Sequence, residues 1–211
     1  MSDVEKNEIK PAILILGAPG AGKGTQGIVL GQIPRFYHFA CGDVFRQLDT
    51  RTELGQKFVA FSRRGELVPD ELTIQLWAAH MDSRINSHQY KPDIDILVLD
   101  GIPRNAEQAL ILENHVKIHH VFHLSCPDRD ELARRMRKRA LKDNRMDDAS
   151  EDVIQRRIKL YEDETKPILN YYPNEICSEI DATQSPAKVL YDILARLQTL
   201  EVYQKIAKLT V

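Results

Sequence analysis

The run Gly17-Ala18-Pro19-Gly20-Ala21-Gly22-Lys23-Gly24-Thr25 follows the apolar stretch Ala12-Ile13-Leu14-Ile15-Leu16 and precedes a segment compatible with a helix. A strand that enters a glycine-rich turn and then a helix points successive backbone N–H groups at one place where an anion can sit. The positive end of the helix dipole points there too. Glycines serve in such a turn because a Cβ would block the approach. Lys23 adds a mobile cation for the β- and γ-phosphates. Gly24 then intervenes, and Thr25 carries the hydroxyl that contacts magnesium. The stretch reads as a cradle for nucleotide phosphates, and by itself it does not say which reaction follows.

The whole chain sets bounds on that reading. Its 211 residues suffice for one α/β domain with a sizeable core and small insertions. With 29 basic and 31 acidic residues the formal net charge is −2, which argues against a dedicated nucleic-acid binder. Cys41, Cys126 and Cys177 are odd in number and far apart, so neither a disulfide framework nor a thiolate zinc site is expected. A reducing cytoplasm fits. The polar N-terminus and the short apolar run after it suit neither a signal peptide nor a membrane span.

Outward from the loop, the expected order is a helix over 22–31 stopped at Ile33-Pro34, a short strand over 37–39, and a buried strand over 95–99. About 55 residues separate those strands, more than one crossover helix needs, so a helical subdomain is expected over 41–70. Then come a helix over 105–114, a strand over 120–124, a basic helix over 128–140 and a polar segment over 140–149. A long amphipathic helix from 150, bent at Pro167, a strand over 176–180 and a helix over 186–200 complete the series. Alternating strands and helices predict a doubly wound parallel sheet in a single domain.

Chemistry-bearing residues recur at the ends of these strands. Asp100 and Arg104, in Asp100-Gly101-Ile102-Pro103-Arg104, fall at the carboxyl edge of the sheet, where open α/β sheets bind ligands. Arg135 and Arg139 share one helix face, and Arg145 follows in the polar segment. Arg157 lies in the middle of the apolar face of the helix from 150, where a guanidinium needs an anion to meet it. Arg156, at the side of that face, is expected in solvent. Strand alternation places His119 and His123 on one face and His120 on the other, so three zinc ligands do not converge there.

These motifs together resemble the adenylate kinases, and more broadly the nucleoside monophosphate kinases, over residues 12–183. The resemblance is carried by the loop through Gln26, Gly42-Asp43-Val44-Phe45-Arg46, Gly65-Glu66-Leu67-Val68-Pro69-Asp70, the Asp100–Arg104 stretch and Arg145-Met146-Asp147-Asp148. It implies a reversible, magnesium-dependent transfer of a phosphoryl group from ATP to AMP. Lys23, Arg104, Arg139, Arg145 and Arg157 would surround the transferred group. Gly20, Ala21, Gly22, Gly24, Thr25, Arg135 and Gln184 would hold ATP, with Arg135 against the adenine. Arg46 would bind the acceptor phosphate and Gln108 read its base, with Cys41, Glu66, Leu67, Val68, Gly101, Ile102 and Pro103 around it. Asp100 would hold magnesium through its bound water. The resemblance further implies a monomer with a short lid over 140–149 and no zinc, because no Cys or His lies between Arg139 and Arg145.

The sequence departs from the family pattern at three places. Cys41 stands where adenylate kinases usually carry Thr and UMP/CMP kinases Ala. Ile102 replaces a Phe, and Ala182 replaces a Gly beside the donor adenine. UMP/CMP kinase activity therefore stays open as an alternative. A P-loop switch is disfavoured, since neither Asn-Lys-x-Asp nor Asp-x-x-Gly occurs.

Overall fold

The computed structural model describes residues 9–143 and 150–208. Five strands, β1 (Lys10–Gly17), β2 (Phe36–Ala40), β3 (Ile96–Asp100), β4 (Val116–Ser125) and β5 (Cys177–Asp181), form one parallel sheet in the order β2-β3-β1-β4-β5. The apolar runs of β1 and β3 occupy inner positions because both of their faces are covered, as parallel strands require. Ile13 and Ile15 pack on one side with Leu30, Met136, Ile158 and Ile193. Ala12, Leu14 and Leu16 pack on the other with Ile74, Trp77, Met81 and Leu112.

The covering helices are α1 (Lys23–Leu30), α2 (Cys41–Arg46), α3 (Glu53–Arg64), α4 (Asp70–Asn86), α5 (Ala106–Leu112), α6 (Arg129–Lys142), α7 (Glu151–Leu160), α8 (Pro186–Leu197) and α9 (Glu201–Ala207). The doubly wound parallel sheet expected from the alternation is the observed architecture. Helices α2 and α3 fill the stretch expected to be helical after β2. Asn105, Asp128 and Ser185 each cap the helix that follows, accepting a backbone N–H on the side-chain oxygen. None of the helices among the described residues is long and apolar enough to cross a membrane.

Three features differ from expectation. Helix α4 was not anticipated, although Ile74, Trp77 and Met81 carry the spacing of its buried stripe. The bend expected at Pro167 is a change of winding. Beyond α7 the chain coils on through a wide turn, Tyr161–Thr165, in which the Lys166 N–H reaches the Tyr161 carbonyl, and then a tight one, Lys166–Asn170. Pro167 lacks an N–H and its ring crowds the preceding turn, so the regular ladder cannot pass through it. Of the tail beyond 200, which the resemblance left out, Glu201–Ala207 form α9. It sets Val202 and Ile206 into the core, with Tyr203 5.8 Å from Phe36 ring to ring.

Strand β4 also breaks simple alternation. Ala12 pairs with Ile118 and Ile13 with His120, so His119 is an extra residue at a bulge. His120 donates to or accepts from Ser178 Oγ at 2.8 Å, and His123 is joined to Tyr161 Oη at 2.9 Å. Burial holds the His120 ring down to about 4 from its usual 6.5, with Arg196 adding to the effect. The unfolded chain therefore binds more protons than the folded one between those values, and stability present above pH 6.5 is lost as pH falls toward 4. Thermal unfolding followed against pH is expected to show Tm dropping through this window. The drop should be shallower in His120→Gln, which keeps a hydrogen bond to Ser178 without a titrating ring.

Candidate active site

The carboxyl edge of the sheet opens on a cleft of about 1070 Å³. Its floor is the turn from β1 into α1. Gly20 and Gly22 take left-handed conformations, φ 88° and 97°, and a Cβ on Gly20 would stand 2.8 Å from the Leu132 carbonyl oxygen. Conformation and, at Gly20, space close the turn to other residues. Gly22 begins α1 with no side-chain cap, so the first N–H groups of the helix are left for an anion.

Lys23 Nζ donates to the Gly17 and Ala18 carbonyls at 2.7 and 3.1 Å, which folds the side chain back over the loop. Burial pushes the Lys23 ammonium down to about 8. Asp100 opposes that shift, and Arg139 and Arg104 reinforce it. Three cationic groups, from the loop after β1, the turn after β3 and α6, therefore share one electrostatic environment. They assemble because β3 lies directly beside β1 in the sheet, with Ile15 opposite Asp100.

Each arginine is held by a different device. Arg104 Nε donates to the Gly101 carbonyl at 2.8 Å, and its own carbonyl accepts the Thr165 hydroxyl at 2.7 Å. Arg157 donates from one terminal nitrogen to the Ser62 carbonyl and hydroxyl, both at 3.1 Å, and so joins α7 to the last turn of α3. Arg46 donates to Asp43 at 2.8 Å. Arg135 donates to Glu131 at 2.6 Å and to the Ala182 carbonyl at 2.8 Å, which places it beside the residue that replaces glycine on the donor side. Arg156 is exposed and donates to the Arg64 carbonyl at 2.9 Å.

Gly20, Ala21, Gly22, Lys23, Gly24 and Thr25 line the cleft, as do Arg135, Arg139 and Gln184. Arg46, Glu66, Leu67, Val68, Arg104 and Arg157 line it too. Gly101, Pro103 and Asp100 complete that wall. Arg145 and most of the expected lid lie outside the described residues.

Three of the expected site residues sit behind the cleft wall. Cys41, Ile102 and Gln108 are not on the cleft wall but buried behind it, at 2%, 0% and 0% exposure. Cys41 begins α2 and Ile102 joins the core, where apolar neighbours outcompete a place on the surface. Burial pushes the Cys41 thiol up to about 11, so it is a neutral packing group rather than a nucleophile. Gln108 is held inside by hydrogen bonds to Asp70 and the Arg104 N–H.

Glu131 was missed. It accepts from Arg134 and Arg135, which hold its carboxyl down to about 2, and so sets the direction of the Arg135 side chain. Its spacing of three and four residues from those arginines was the available signal. Among the described residues no group of three or more His, Cys, Asp or Glu gathers as a metal site.

A parallel sheet whose first strand runs into this loop, with Lys23 and arginines from several other elements around one cleft, defines a P-loop phosphotransferase. The family model for adenylate kinase matches residues 15–177. An adenylate kinase of Thermus thermophilus is 32% identical over 197 residues, 90% of this chain and 98% of the relative. Those of Thermobifida fusca and Cyanothece sp. PCC 7425 are each 36% identical, covering 81% and 88% of this chain and 89% and 92% of themselves. The chain belongs to the adenylate kinase family.

The lowered Lys23 value has a consequence for binding. Polyphosphate favours the charged ammonium, so above pH 8 binding must take up a proton that the free protein has lost. ATP affinity is expected to weaken by up to about tenfold per pH unit above that point. Calorimetric titrations in buffers of different ionisation enthalpy should register the proton uptake in the wild type and not in Lys23→Met.

Proposed function

We infer that this chain transfers the γ-phosphoryl group of ATP to AMP, reversibly, giving two ADP. Family membership supports the reaction. Within the structure the supporting observation is that Lys23, Arg104, Arg139 and Arg157 line one cleft with Arg46. The bond between the γ-phosphorus and the bridging oxygen breaks as an oxygen of the acceptor monophosphate forms a new one. The acceptor is already an anion, so no general base is needed. The work falls on alignment and on neutralising charge spread over the transferred group. Lys23 and the loop N–H groups hold the donor phosphates, Arg46 holds the acceptor phosphate, and Arg104, Arg139 and Arg157 face the group in between.

Magnesium suits the donor set beside the loop. Asp100 Oδ2 lies 3.6 Å from the place of a Cβ on Gly24, and Thr25 lines the same cleft. A carboxylate and a hydroxyl are the hard oxygen donors this ion takes, commonly through its water. We assign Asp100, through water, and Thr25 to hold it, where its charge would offset that of the phosphates.

Water competes with AMP as acceptor, so the reaction needs closure over both nucleotides. Adenylate kinase lids are a known instance of such closure. We assign it here to the segment with Arg46 and to a short, zinc-free lid over 140–149 that carries Arg145. For the base, the Gln108 amide keeps a second hydrogen on Nε2 and a second lone pair on Oε1. We assign that pair to the adenine edge, reached once the wall over the buried side chain moves. The free cysteines among the described residues suit a reducing cytoplasm, and we take the working unit to be a monomer.

An ADP-release assay with ATP, magnesium and a panel of monophosphates tests this reading. AMP is expected to exceed CMP and UMP in kcat/KM by on the order of a hundredfold, with Gln108→Ala eroding the margin. Comparable turnover of CMP or UMP would move the chain to the pyrimidine nucleotide kinases. Lys23→Met should lower kcat by on the order of a hundredfold with Tm unchanged. Arg157→Ala should do so by at least about tenfold, and a fall in Tm with kcat intact would make that arginine a packing residue only.

A further inference from the structure

Asp70 is the first residue of α4 and follows directly on the acceptor loop, whose Glu66, Leu67 and Val68 line the cleft. Its carboxylate accepts Gln108 Nε2 at 2.6 Å and Asn105 Nδ2 at 3.1 and 2.9 Å. Gln108 Oε1 accepts the Arg104 backbone N–H at 2.9 Å, and Asn105 Oδ1 accepts the Gln108 backbone N–H at 2.8 Å. An unbroken set of hydrogen bonds thus runs from the end of the acceptor loop to the backbone of Arg104, whose side chain lines the cleft.

The chemistry of the partners leaves one arrangement. A carboxylate only accepts and a backbone N–H only donates, so Nε2 faces Asp70 and Oε1 faces Arg104. Gln108 is fully buried beside the half-buried Asp70 and Asn105, so solvent has little reach to repair a mismatch at its amide. Turning the amide over would break both bonds at once.

We propose that Asp70 is a positioning residue for the acceptor half of the site, holding the Gln108 amide and through it keeping the Arg104 turn in register with the acceptor loop. This rests on the phosphoryl-transfer reading above. Asp70 acts without touching a nucleotide. It ties two cleft walls that are joined in the chain only through α4 and β3, and it does so by a directional contact rather than by packing.

The test is a reciprocal exchange. In Asp70→Asn, either rotation of the new amide sets an NH2 against the NH2 of Asn105 or of Gln108. In Gln108→Glu, two carboxylates meet at a place where the present contact is 2.6 Å. Each single variant is expected to lower kcat and raise the AMP KM by about tenfold, the loss of one buried charged hydrogen bond, with the ATP KM unchanged. In the double variant the amide introduced at position 70 donates to the carboxylate introduced at position 108, which still accepts the Arg104 N–H. Because Gln108 is also assigned to the base, the AMP KM of that variant stays raised, but its kcat should exceed that of either single variant by about threefold or more, the signature of a directly coupled pair. Hydrogen exchange at the Arg104 amide should follow the same order, protected in wild type and double variant, faster in each single one. A double variant as slow as the singles, or an Asp70→Asn protein with lower Tm and unchanged kcat and KM, would overturn the proposal. Failure of the phosphoryl-transfer reading shows separately, as no ADP from wild type with ATP and AMP, and the exchange measurement still decides the role of Asp70.

Discussion

The Lys23 ammonium is held against two loop carbonyls while Arg104 and Arg139 press on it electrostatically, and the geometry of the cleft answers to that crowding of like charge. Positive groups gathered out of water destabilise a fold unless something gathers them. Among the described residues the backbone contributes at several points. Carbonyls of Gly17, Ala18, Gly101, Ser62 and Ala182 each take a hydrogen bond from a lysine or arginine facing the cleft. Carboxylates take part as well, through Asp43 and Glu131. An anion of high charge that enters such a place replaces partial dipoles with full charges, which is the physical basis of phosphate affinity at this edge.

Strand order converts a chain property into a site. The loop after β1 and the turn after β3 are far apart in sequence, yet β1 and β3 are hydrogen-bonded neighbours in register. On the other side β4 pairs with β1 along its whole length and delivers α6 with Arg135 and Arg139. Burial on both faces locks these strands, so the positions of Asp100 and the phosphate loop are set by the core rather than by the loops themselves. Arg46, Arg135 and Arg157, on α2, α6 and α7, are oriented instead by side-chain hydrogen bonds at the cleft. That is a lesser constraint than burial in the core.

The two halves of the cleft are organised differently. Along α6 Glu131 and the Ala182 carbonyl orient Arg135 at a partly exposed surface. Behind the acceptor side the polar groups of Asp70, Asn105 and Gln108 satisfy one another, with Gln108 wholly out of solvent. A network centred on a buried amide, with each of these polar groups bonded to another, specifies one arrangement, and a single misplaced amide disturbs it.

Much of this was legible in order along the chain. The glycines around Lys23, the apolar runs that became β1 and β3, and the placing of Asp100 and Arg104 at a sheet edge follow from local rules of backbone conformation and burial, which need only neighbouring residues. Arg157 was readable as a cation on an apolar face, and it does meet polar partners at the cleft. The histidine pattern failed at His119 because a bulge is decided by the partner strand, not by the strand that carries it. Helix α9 went unread since the resemblance ended before it and its two buried residues find their place only against the finished sheet. What the sequence determined by itself was the chemistry at hand: a phosphate cradle, a lysine, a set of arginines and the alternation that stacks them on a parallel sheet. The tertiary structure alone decided which of the candidate side chains face the cleft. Cys41, Ile102 and Gln108 lie one layer behind the wall, and Asp70 acquires partners 35 and 38 residues away. The reason is physical. Residue type and spacing govern which groups can bond, whereas burial and hydrogen-bond direction depend on the elements that arrive from elsewhere in the chain.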